Sequence, residues 1–134
     1  MTTPAREKIT PWLLLIGLCL LIFWQSSAPL PVQTPTFPGL DKLVHAVVYA
    51  FVAILAARAF ATLPFQPHPH ALLGAAVLFA SLYGLGDEVH QSFVPGRTAD
   101  VWDLAADIVG AFAGAFLYRW RMRTRSHRQT AFLR

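Results

Sequence analysis

The chain has 134 residues, of which 55% are hydrophobic and 13% charged, with a mean hydropathy of +0.48; this is the size of one domain, and the balance excludes an ordinary soluble fold. The net charge of +4 does not indicate nucleic acid, because six of the eleven Lys and Arg residues follow Leu117 in RWRMRTRSHRQTAFLR, the pattern of a solvated cytoplasmic tail. Cys19 is the only cysteine, which excludes an internal disulfide and a cysteine-based metal site.

Residues 1–10 are polar, with Arg6 and Lys8, and read as a cytoplasmic N-terminus. PWLLLIGLCLLIFWQSSA, from Pro11, has no charge and predicts a first membrane helix with Trp12 and Trp24 at the two interfaces. The same segment also reads as a cleaved signal peptide, since basic residues precede a short apolar core and Ser26-Ser27-Ala28 resembles a cleavage site. APLPVQTPTFPG, with four prolines, predicts an extended loop from Ala28 to Gly39.

A second helix is expected from Leu40-Asp41 to about Thr62, with Asp41 in its first turn and Lys42, His45 and Tyr49 on one face that continues as Val52 and Ala56. Arg58 points elsewhere and can snorkel to the inner interface. A proline-broken connection follows, in which His68 and His70 read as loop residues. The third helix is expected over about Ala71 to Gln91, its protein-facing stripe formed by Gly74, Ser81, Gly84, Glu88 and Gln91. Phe93-Val94-Pro95-Gly96-Arg97 predicts a reversal, and a fourth helix runs from about Asp100 to Tyr118, where the basic tail of residues 119–134 begins. Asp100 suits an N-cap. Residues 11–118 thus form one membrane domain, an all-α, polytopic bundle of four transmembrane helices.

The stretch from Gly84 to Gly114 holds five of the seven acids, Asp87, Glu88, Asp100, Asp103 and Asp107. Asp100, Asp103 and Asp107 lie at i, i+3 and i+7 on the fourth helix, and the stripe continues as Gly110 and Gly114, a small-xxx-small pattern for close helix packing. Ala111 is expected on a different face. Asp107 is roughly 10 Å deeper than Asp100 at the α-helical rise. A charged carboxylate facing lipid there would cost on the order of 3 kcal/mol, so it is expected to face the bundle, with Arg97, Lys42 and His45 as available partners. Basic residues at both chain ends and at Arg58 predict both termini in the cytoplasm of a bacterial inner membrane, with the polar ends of helices two, three and four at the outer face.

Asp41-Lys42-x-x-His45 with Tyr49, Gly86-Asp87-Glu88-x-x-Gln91-x-Phe93-Val94-Pro95-Gly96-Arg97, and Asp103, Asp107 and Gly110-x-x-x-Gly114 together resemble the VanZ-like family. The resemblance covers roughly Gly39 to Gly114. It implies a small polytopic protein of the bacterial cell envelope and a relation to resistance against the glycopeptide teicoplanin, without supplying a reaction. The chain departs from the family pattern at Thr98-Ala99-Asp100, where members often carry a serine or another small polar residue.

Three functions compete on the sequence. One is binding of a lipid-linked, anionic or glycosylated envelope ligand, or a glycopeptide, at the outer face by Asp41, Lys42, His45, Tyr49, Asp87, Glu88, Gln91, Arg97, Asp103 and Asp107, with Arg97 as the anion contact and Phe93 to Gly96 as a lid. Another is an intramembrane enzyme with His45 as general base and the carboxylates orienting it or holding a hard divalent cation. A proton-coupled transporter built around Asp107 ranks below both, because four helices without a repeat would need an oligomer to form a path. Glu88 and His90 are about 200° apart on a helix and cannot share an ion, so no metal site and no cofactor is assigned. Membrane lipids are the expected partners and nucleic acid is not. Catalytic residues and oligomeric state are left open.

Overall fold

The computed structural model describes residues 5–29, 39–65 and 68–131, which form four α-helices: α1 (Ala5–Ser26), α2 (Leu40–Phe60), α3 (Pro69–Gln91) and α4 (Val101–Ala131). Each contains a window long and apolar enough to cross a membrane. The protein is an all-α bundle of four such helices. The proline-rich loop expected over Ala28 to Gly39 lies, apart from its ends, outside the described residues.

Helix boundaries differ from the sequence expectation for local reasons. Helix α1 starts at Ala5, so Pro11 lies inside it; its ring removes one backbone bond, a loss membrane helices tolerate. Helix α2 ends at Phe60, two residues early, where Thr62 Oγ1 donates to the Ala59 carbonyl and closes the turn. Helix α3 begins at Pro69, in the first-turn position where a missing N–H costs nothing, with His68 Nδ1 accepting from His70 N. Helix α4 passes Tyr118 and continues to Ala131, because no glycine or proline follows Gly114 to stop it.

The interior is built from small residues and the exterior from large ones. Ala53, Ala56, Ala57, Ala76, Ala80 and Ala111 are fully buried, whereas Leu20, Phe51, Leu78, Phe112 and Phe116 point outward. Lipid tails are as apolar as leucine, so helix association in a membrane is driven by close packing, which small residues permit. Helix α2 is central, touching α1, α3 and α4, and its contact with α4 is the most extensive. There, a β-carbon at Gly110 would run into the Ala46 carbonyl oxygen, and one at Gly114 into that of Ala50. Ala111, expected on a different face from the glycine stripe, is also fully buried, because the α4 surface against its neighbours is wider than that stripe. Likewise Gly74 is exposed, and the inward stripe of α3 is Ala76, Ala80, Gly84, Asp87, Glu88 and Gln91.

Side-chain bonds define the two ends of the bundle. Trp12 Nε1 donates to Thr62 Oγ1, and Arg119 meets His70, so the start of α1, the end of α2, the start of α3 and the later part of α4 share one end. Ser27 and His90 meet, as do Lys42 and Asp100, at the other. That second end carries the polar residues.

Candidate functional site

The turn after α3 sets the site in place. Arg97 N donates to the Val94 carbonyl at 3.1 Å, with Pro95 second and Gly96 third at φ 80°, the geometry of a turn that needs a positive φ at its third residue. This reversal carries Arg97 back toward α1. Its guanidinium donates to the backbone carbonyls of Ala28 (3.0 Å) and Gln25 (3.1 Å), and to Gln91 Oε1 (3.3 Å). Gln91 Nε2 in turn donates to Asp87 Oδ2 at 3.0 Å. Arg97 therefore secures the end of α1, whose last carbonyls have no helical partner, and reaches Asp87 through Gln91.

Helix α4 starts at a cap made by Asp100, whose Oδ1 accepts from Trp102 N at 2.8 Å. That backbone N–H and the Lys42 ammonium hold the Asp100 carboxyl below the usual range. Glu88 Oε2 of α3 accepts from Asp100 N at 2.8 Å, joining α3 to the same cap. Lys42 donates to Asp41 (2.8 Å), Asp100 (3.0 Å) and Asp103 (3.0 Å), so one cation serves three carboxylates. One turn deeper, Asp107 Oδ1 accepts from His45 Nδ1 at 2.9 Å, and His45 Nε2 is 4.0 Å from Asp103 Oδ2. The Tyr49 ring stacks parallel to that of His45, with 6.3 Å between centroids.

A cavity of about 780 Å³ opens among α1, α2, α3 and the turn. Leu18, Leu21 and Ile22 of α1 and Val44 and Val48 of α2 form its apolar wall, and Asp41, His45, Tyr49, Asp87, Gln91, Arg97, Asp100 and Asp103 line it too. The ten residues singled out in the sequence thus meet at one end of the bundle but divide between two places. Asp41, His45, Tyr49, Asp87, Gln91, Arg97 and Asp103 line the cavity. Lys42, Glu88 and Asp107 face the α2–α3–α4 junction behind it. Arg97 makes no ion pair with Asp103 or Asp107 among the described residues; their partners are Lys42 and His45. In the turn, Gly96 lines the cavity while Phe93 is exposed.

Some contributors went unnoticed in the sequence. Ala46 and Ala50 receive the α4 glycines, and their own i, i+4 spacing was the signal. The α1 groups bonded by Arg97 are backbone carbonyls, which no side-chain pattern reveals; Gly84, placed on the protein-facing stripe from the sequence, lies against Asp107. His68 and His70 stack on one another at the opposite end, and His90 packs on Phe23 and Ser27 of α1, turned from Glu88.

No curated protein and no solved structure matches this chain. The family model described as VanZ/LLP1 matches residues 11–122, from the start of the apolar part of α1 through the basic turn of α4, and so spans every helix that builds the cavity and the junction behind it. The chain belongs to the VanZ/LLP1 family.

Proposed function

We propose that this protein binds a lipid-linked, glycosylated ligand of the bacterial cell envelope in the cavity among α1, α2 and α3, at the outer face of the inner membrane. The observation that carries the reading is the two-part lining: an apolar wall from Leu18, Leu21, Ile22, Val44 and Val48 beside a polar end from Asp41, Asp87, Gln91, Arg97 and Asp103. An amphiphile matches both parts, and about 780 Å³ falls within the ~300–1,000 Å³ usual for ligand sites. Carboxylates outnumber cations there, and a carboxylate accepts hydrogen bonds. A headgroup rich in hydroxyls or amines therefore fits better than a bare anion, the more so because Arg97 already has three partners. Basic residues at the opposite end support an external site and cytoplasmic termini. By relation to the family, the expected cellular role is reduced susceptibility to teicoplanin.

Native mass spectrometry of gently extracted protein tests this reading. A glycosylated lipid should be retained by the wild type and lost from Val48→Trp, which fills the cavity, at an unchanged melting temperature. Retention by both proteins, or by neither, counts against it. Phosphatase fusions at Arg97 should be active and those at His68 inactive; the reverse would remove the outer-face assignment.

The His45–Asp107 pair favours a second reading, an intramembrane enzyme on the same lipid. Asp107 holds the Nδ1 side of the ring while His45 borders the cavity, the arrangement of a base and the group that orients it. Conversion of the retained lipid by wild type but not by His45→Asn would establish it.

A further inference from the structure

Three buried oxygens at the polar end of the bundle have no hydrogen-bond partner among the described residues: Glu88 Oε1, Asp107 Oδ2 and the Tyr49 hydroxyl. The first two belong to carboxylates from residues that are 4% and 0% exposed. His45 completes the group, because one ligand-capable atom from each of His45, Glu88 and Asp107 lies within 4.8 Å of the other two. Each of three helices contributes one residue, so only their packing assembles the set. Buried carboxylates persist where they are paired or bound to metal. The nearby cations are otherwise engaged, Lys42 with Asp41, Asp100 and Asp103, and Arg97 with Gln25, Ala28 and Gln91. Even a protonated His45 brings one positive charge to two carboxylates.

We propose that His45, Glu88 and Asp107 hold a divalent first-row transition-metal ion at the α2–α3–α4 junction. One imidazole and two carboxylates form a mixed nitrogen–oxygen donor set suited to ions of this class, and two carboxylates with a neutral imidazole carry the charge that such an ion cancels. His45 Nδ1 and Asp107 Oδ1 are 2.9 Å apart, so an ion replacing the proton between them, about 2.1 Å from each, would see them at roughly a right angle, as neighbouring ligands of a six-coordinate ion. Glu88 is oriented by its other oxygen, which accepts from Asp100 N. Gly84 keeps room beside the free Asp107 oxygen, where a β-carbon would stand 2.6 Å away. The site does not depend on which ligand occupies the cavity. It makes His45 a metal ligand through Nδ1, and so excludes the arrangement of the general-base reading while the ion is bound.

The test takes the full chain in mild detergent, strips it with EDTA and titrates it with Mn²⁺, followed by electron paramagnetic resonance and by thermal unfolding. One Mn²⁺ per chain should bind, quenching the free-ion signal and raising the unfolding midpoint as its concentration rises, and Zn²⁺ should displace it. Glu88→Gln and Asp107→Asn should weaken binding by at least about tenfold. His90→Asn, at a histidine of α3 that packs on Phe23 and Ser27 and lies outside both the trio and the cavity, should leave it intact. If Asp107→Asn does not fold, Glu88→Gln and His45→Asn decide the question. Lack of saturable binding of either metal by the wild type, or equal loss in His90→Asn and Glu88→Gln, overturns the site.

Discussion

Gly84 of α3 lies against the Asp107 carboxylate of α4 so closely that a β-carbon there would stand 2.6 Å from Oδ2 and 3.1 Å from the Asp107 β-carbon. Asp107 is fully buried and its other oxygen is held by His45, so it has little freedom to retreat. Gly84→Ala should therefore destabilise the protein by about 1–3 kcal/mol, the usual cost of overpacking. At Gly86, two residues on, an added β-carbon would meet nothing within 4 Å, and Gly86→Ala should be neutral or stabilising by up to about 1 kcal/mol. Thermal melts in detergent compare the two; equal losses would show that the close approach at Gly84 is unimportant.

The α2–α4 seam should be the least tolerant of added bulk. At Gly110 and Gly114 the obstacle is the backbone of Ala46 and Ala50, which cannot rotate away as a side chain can. Alanine at either position should cost on the order of 3 kcal/mol, and leucine should prevent a stable bundle. Ala111→Leu should also destabilise, because Ala111 is buried, whereas Val109→Leu on the outward face should change the melt little. Stable, monodisperse Gly110→Leu protein would contradict the packing.

Lys42 faces three carboxylates, one of them, Asp103, largely buried. Lys42→Met should lower the unfolding midpoint measurably but modestly, because solvent screens a cation at the rim of the bundle while three carboxylates lose their shared partner. Adding Asp103→Asn to Lys42→Met should recover part of that loss, and a double-mutant cycle measures how much. Strict additivity would mean that the pair is not coupled.

Arg97 is expected to act through its planar fork, which reaches two carbonyls and an amide at once. Arg97→Lys keeps the charge but should loosen the end of α1, costing about 1–2 kcal/mol and speeding amide exchange over Phe23 to Ala28. Because Arg97 does not pair with Asp107, combining Arg97→Ala with Asp107→Ala should give no rescue. Recovery of stability in that double variant would show a direct pairing after all.

Four helices, their order and the acid-rich hairpin between α3 and α4 were legible in the chain, because uncharged apolar runs, proline breaks and the Pro95-Gly96 turn each act over a few neighbouring residues. The i, i+3 and i+7 spacing of Asp100, Asp103 and Asp107 likewise placed them on one helical face, as 3.6 residues per turn requires. Tertiary structure alone decided which partner each charge takes. Arg97, Lys42 and His45 were equivalent candidates for Asp103 and Asp107 by residue type; the fit of Gly110 and Gly114 against Ala46 and Ala50 set α2 against α4 so that Lys42 and His45 took them, while the Val94–Arg97 turn carried Arg97 to α1. That His45 borders the cavity on one side and joins Glu88 and Asp107 on the other was also invisible in the chain, since residues on three different helices become neighbours only after their backbones have packed.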